Sequence, residues 1–146
     1  MEQRKSKLAF WLLILVILLS VLLLISGSPI LDKSLLENRE LPFGNLTTAI
    51  GFLAIPLAIM NRVIANKNFP KGIRKLYVAA LILASILALF WWFYGRLLSG
   101  NWSNNFINAP KASEQFWNYT YGILLFPLSI LFIYLAHMLI IKFKSK

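Results

Sequence analysis

A single histidine, His137, is the only side chain inside the long apolar stretches of this sequence that titrates near neutral pH. One imidazole can ligate a haem iron or pigment, but bis-histidine ligation needs a second His and acid–base catalysis needs a second titratable partner. Neither partner is present, because the 5 Asp and Glu of the sequence all fall outside those stretches. The lack of Cys removes thiolate metal sites, iron–sulfur ligation, disulfides and cysteine nucleophiles together. His137 is thus a weak cofactor-binding candidate whose plainer role is a hydrogen bond to a neighbouring helix or headgroup. No cofactor, metal or catalytic residue is expected, so the chain reads as a non-enzyme. A proton-coupled transporter or pump normally carries an Asp or Glu within a span, so that class is disfavoured too.

Two prolines inside apolar stretches, Pro56 and Pro127, are the next residues with mechanical consequences. Proline in a helix interior removes one hydrogen bond and frees the carbonyl four residues back, here those of Phe52 and Ile123. In lipid such a carbonyl needs a partner, and Thr48, Ser129 and Tyr134 are the nearest candidates. The prolines also occupy matching places. Residues 51–59 and 122–130 agree at Gly, Leu, Pro, Leu, a small residue and Ile, while Lys7-Leu8 and Lys75-Leu76 open the preceding stretches. This points to a possible tandem repeat of two hairpins about an axis along the membrane normal, as in parallel-repeat transporters, with the prolines facing each other at a pore or packing centre.

The elements that must position these residues follow from composition. A hydrophobic fraction of 59% exceeds the roughly 45–50% of soluble domains, so lipid must solvate much of the surface. The expected fold is an all-α polytopic membrane protein, one domain over residues 1–146, with four transmembrane helices in an antiparallel bundle. The spans fall at about 8–26, 46–65, 76–98 and 119–141, with outer loops 27–45 and 99–118 and a cytoplasmic loop 66–75. The basic start and Ser26-Gly27-Ser28 resemble a signal peptide, but the apolar run is longer than usual for one, and a retained helix is expected. Of the 15 Lys and Arg, 11 lie in the N-terminal tail, the middle loop and the C-terminal tail. That positive-inside pattern places both termini in the cytoplasm, most simply at a prokaryotic inner membrane.

The same cations account for the net charge of +10 without nucleic acid. Arg62, Lys67, Lys71, Arg74 and Lys75 are candidates for contact with anionic lipid. Ala80, Ala84 and Ala88 form a small-residue stripe for close helix packing, within the chain or against a second one. The run Phe90 to Tyr94 resembles an interfacial aromatic belt, and Trp91, Trp92, Arg96, Trp102, Phe106 and Trp117 would make a partner-covering outer surface. Three glycosylation sequons, Asn45-Leu-Thr47, Asn101-Trp-Ser103 and Asn118-Tyr-Thr120, lie on the outer side. Expected partners are membrane lipids and other membrane-protein subunits. The leading expectation is a subunit or accessory component of a larger membrane complex. A homo-oligomeric channel or small transporter for a neutral or hydrophobic solute is the alternative, and a membrane immunity or defence protein the third.

Overall fold

The computed structural model describes residues 2–36, 39–66 and 69–144. Four helices, α1 (Glu2–Ile25), α2 (Phe43–Ala65), α3 (Lys71–Ser99) and α4 (Pro110–Lys144), account for most of the chain. All four are long and apolar enough to cross a membrane. At about 1.5 Å per residue even the shortest apolar segment, Ser6–Ile25, covers roughly 30 Å, the thickness of a hydrocarbon core.

The helix boundaries follow local chemistry. Pro42 and Pro70, with extended backbone, precede α2 and α3, since proline presets the dihedral of an entering chain but cannot continue a ladder behind it. Pro110 opens α4 at the first helical position, where its missing N–H is not needed. Gly100 ends α3 in the left-handed region at φ 73°, its N–H donating to the Arg96 carbonyl, a conformation that glycine adopts without penalty.

Two expectations about the outer loops need correction. The segment 99–118 is helical from Pro110 onward, because the polar turn 112–115 is an exposed helical extension rather than loop. The segment 27–45 holds a 3-10 turn, Pro29–Asp32, and a small antiparallel pair of strands, β1 (Ser34–Leu36) and β2 (Arg39–Pro42). Strands of three or four residues carry too little alternation to stand out from sequence.

Between lipid-solvated helices there is little hydrophobic driving force, so close approach and internal hydrogen bonds must hold them. α3 shows the device most plainly. Its buried residues Tyr77, Leu81, Ala84, Ala88, Trp91 and Gly95 recur by alternating steps of four and three, the knobs-into-holes period. Ala84 and Ala88 thus lie inside the chain, whereas Ala80 sits at the half-buried edge of the seam. α1 meets α2 at Gly51, where an added Cβ would stand 3.1 Å from the Ser20 Cβ, and where the Ser6 hydroxyl donates to Asn61 Oδ1 at 2.6 Å.

α2 is the central helix, packing against α1, α3 and α4, and α3 packs on α4. The two-fold implied by the hairpin correspondence would pair α1 with α4 as α2 pairs with α3. No packing of comparable extent joins α1 to α4, and a groove lies between them. The two glycines matched in that correspondence differ as well: Gly51 touches Ser20, while Gly122 is exposed with nothing within 4 Å of its Cβ position.

Candidate functional site

Three places bring polar and aromatic side chains together: a cap over the α3–α4 connection, an aromatic cluster at the Lys-rich end, and the groove between α1 and α4.

The cap is built around Trp91, expected at the membrane interface but found 5% exposed in the core. Helical periodicity splits the aromatic run: Trp91 points inward on the α3 seam, while Phe90 and Phe93 point outward. The Trp91 indole donates to Thr120 Oγ1 at 2.9 Å, and that hydroxyl donates in turn to the Phe116 carbonyl at 2.8 Å. Phe52 meets the indole edge-on at 5.5 Å and Phe116 lies at 5.4 Å.

Loop residues close over this layer. Phe106 packs on Phe116 at 5.1 Å. The Trp102 carbonyl accepts from Trp92 Nε1 at 3.2 Å and from Asn45 Nδ2 at 3.3 Å, tying α2 and α3 to the loop. Arg96, expected on a partner-covering surface, lies 4.4 Å from the Trp102 ring centroid, with Nη1 donating to the Gly100 carbonyl. Such a cation over an indole face gains about 0.5–1 kcal/mol. Of the expected partner-covering residues, only Trp117 stays half-exposed at the surface.

Asn101 organises the loop. Its Nδ2 donates to the carbonyls of Ser99 and Asn105, and its Oδ1 accepts from the Ser103 hydroxyl and the Asn105 N–H. Replacing Asn101 with alanine is expected to cost on the order of 1 kcal/mol and to speed proteolysis between residues 99 and 109 several-fold, read by limited digestion in detergent. The sequons serve this framework: Asn45 and Asn101 are engaged as above, and the Thr47 and Thr120 hydroxyls are buried, each donating to the carbonyl four residues back. Asn104 holds a left-handed backbone at φ 54° and buries an amide with neither atom bonded. Asparagine tolerates that backbone region better than most residues, so backbone conformation rather than bonding accounts for it there.

At the Lys-rich end, Phe69 stacks on Tyr134 at 5.1 Å and meets Tyr77 edge-on at 5.9 Å. The Tyr77 hydroxyl lies 3.2 Å from His137 Nδ1, which places the histidine in a contact between α3 and α4. Asn66 Nδ2 donates to the Tyr134 hydroxyl at 2.9 Å and approaches Met138 Sδ at 3.2 Å. Among the described residues no group of His, Asp and Glu that could hold a metal is found.

Pro56 and Pro127 are fully buried, together with Val63 and Leu81, so the interior of the chain is filled by side chains. The hydroxyls expected to serve the freed carbonyls bond elsewhere: Thr48 donates to the Gly44 carbonyl, Ser129 to that of Phe126, and Tyr134 accepts from Asn66. Among the expected lipid-contacting cations, Lys71, Arg74 and Lys75 line the first turns of α3, and Lys67 lies outside the described residues. Arg62 is placed differently, its guanidinium 5.0 Å above the Phe10 ring at one end of the groove.

The groove has a volume of about 650 Å3. No sequence signal announced it, because it arises from two helices failing to meet.

Comparison with protein-family models, with curated proteins and with solved structures finds no match.

Proposed function

We propose that this chain is a non-enzymatic integral membrane subunit, an accessory or assembly component of a larger complex in a prokaryotic inner membrane. Its four spans pack as an antiparallel bundle with both termini in the cytoplasm, the orientation that the distribution of Lys and Arg favours.

The observation that carries this proposal is the outward face of α1. Only 6% of its apolar window is buried, against 28%, 28% and 22% for the other three helices, so α1, which packs along one side on α2, leaves most of its apolar surface uncovered by the rest of the chain. On the outward face, Leu8, Trp11, Leu15, Leu18, Leu22 and Ile25 are all at least half exposed and recur by alternating steps of three and four. That is the seam of a coiled pair of helices, repeated over the whole span with no helix of this chain to fill it. The cap gives further support, since its polar groups are largely spent on internal bonds and leave no open polar site for chemistry.

Extraction of the chain from its native membrane in a mild detergent should recover it with another membrane polypeptide. Leu15→Ala combined with Leu22→Ala should release that polypeptide while leaving the chain folded. A clean monomer from the native membrane would contradict the proposal.

A further inference from the structure

The groove between α1 and α4 has a graded lining that the packing of the chain does not use. Phe10, Ile14 and Ile17 of α1 face Leu131 and Leu135 of α4 across it, over a floor kept low by Ala58 of α2. Arg62 stands at one end. A second hollow, which Lys142 borders, shares Asn66, Leu135 and Met138 with the first. The two hollows thus adjoin along these three residues, as a trough that is apolar between α1 and α4 and bordered by the cations Arg62 and Lys142.

Arg62 carries the choice of occupant. Its guanidinium rests over the Phe10 ring, yet among the described residues no carboxylate pairs with it. A permanent cation at the edge of a hydrocarbon region demands an anionic partner or water. Arginine's planar fork matches a phosphate with two parallel bonds. An anionic phospholipid supplies that phosphate together with a chain to fill the apolar part, and the bilayer holds it at high concentration. A partner helix fits the apolar walls but would have to place an acid of its own beside Arg62.

We propose that this trough binds one anionic phospholipid, its acyl chain lying between α1 and α4 and its phosphate held by Arg62 with Lys142 at the mouth. The site is distinct from the α1 seam: the trough is lined by Phe10, Ile14 and Ile17, which lie roughly a quarter turn around the helix from the face that carries Leu8, Trp11, Leu15 and Leu22. Loss of the lipid and loss of a partner polypeptide are therefore distinguishable.

The test is native mass spectrometry of the purified full chain titrated with phosphatidylglycerol or with phosphatidylcholine. The expected result is one retained phosphatidylglycerol, with affinity at least several-fold above that for phosphatidylcholine. Arg62→Gln should lower that affinity about tenfold, the loss of one charge-assisted contact, while Lys111→Gln, at the far end of α4, leaves it unchanged. Ala58→Leu, which raises the floor without altering charge, should weaken retention as well. A photoreactive residue in place of Leu131 should attach to phospholipid in intact membranes. Equal binding of the two lipids, or equal loss in Arg62→Gln and Lys111→Gln, would overturn the proposal, and so would attachment of a polypeptide at position 131.

Discussion

Trp91→Ala should destabilise the protein by about 3–5 kcal/mol, the range for deleting a large buried aromatic side chain. The indole is 5% exposed, in contact with Phe52 of α2 and Phe116 of α4, so its removal leaves a cavity where three helices meet. The hydrogen bond to Thr120 separates packing from polarity. Thr120→Val strands the indole N–H in an apolar setting and should cost about 1–3 kcal/mol, whereas Thr120→Ser, which keeps the hydroxyl, should cost less. Unfolding in mixed detergent micelles, followed by tryptophan fluorescence and helical circular dichroism, checks the series. A loss under 1 kcal/mol for Trp91→Ala would mean that α2, α3 and α4 do not converge on the indole.

Gly95→Ala should give the second large effect, about 1–3 kcal/mol from overpacking. A Cβ at this position would stand 2.6 Å from the Asn104 side chain and 2.7 Å from Phe116. Both neighbours are already enclosed: Phe116 is 4% exposed between Trp91 and Phe106, and the Asn104 amide atoms are buried. The added methyl should lift the loop off α3, raising protease sensitivity around residues 100–109 along with the loss of stability. The same substitution at Gly122, where nothing lies within 4 Å, should be close to neutral and serves as the matched control.

The four helices long and apolar enough to cross a membrane were legible because runs of Leu, Ile and Val longer than a soluble core helix call for lipid as solvent. The cap was only partly legible. Phe90 to Tyr94 has the composition of an interfacial belt, and composition does not distinguish Trp91 from Phe90. The spacing of Tyr77, Leu81, Ala84, Ala88, Trp91 and Gly95 does, and that period was present in the sequence. The start of α4 was missed because Ser113, Glu114 and Gln115 are polar, which in a membrane protein marks the end of the lipid-facing region and not the end of a helix. The bonds of Asn101 and the burial of Thr120 had no sequence signature, since a sequon and a loop-ordering asparagine look alike until the carbonyls they reach are placed. The groove between α1 and α4 belongs to the same class: a gap between helices is a property of packing, and each helix bordering it looks ordinary alone.

The lack of native cysteine makes the arrangement of four spans directly measurable, because any cysteine introduced singly is the only one labelled. A membrane-impermeant maleimide applied from outside intact cells should modify Asn105→Cys and Asp32→Cys. It should leave Ser6→Cys, Lys71→Cys and Lys142→Cys untouched until the membrane is permeabilised. Outside labelling of Ser6→Cys or Lys142→Cys but not the other would place the two ends of the chain in different compartments and contradict four spans.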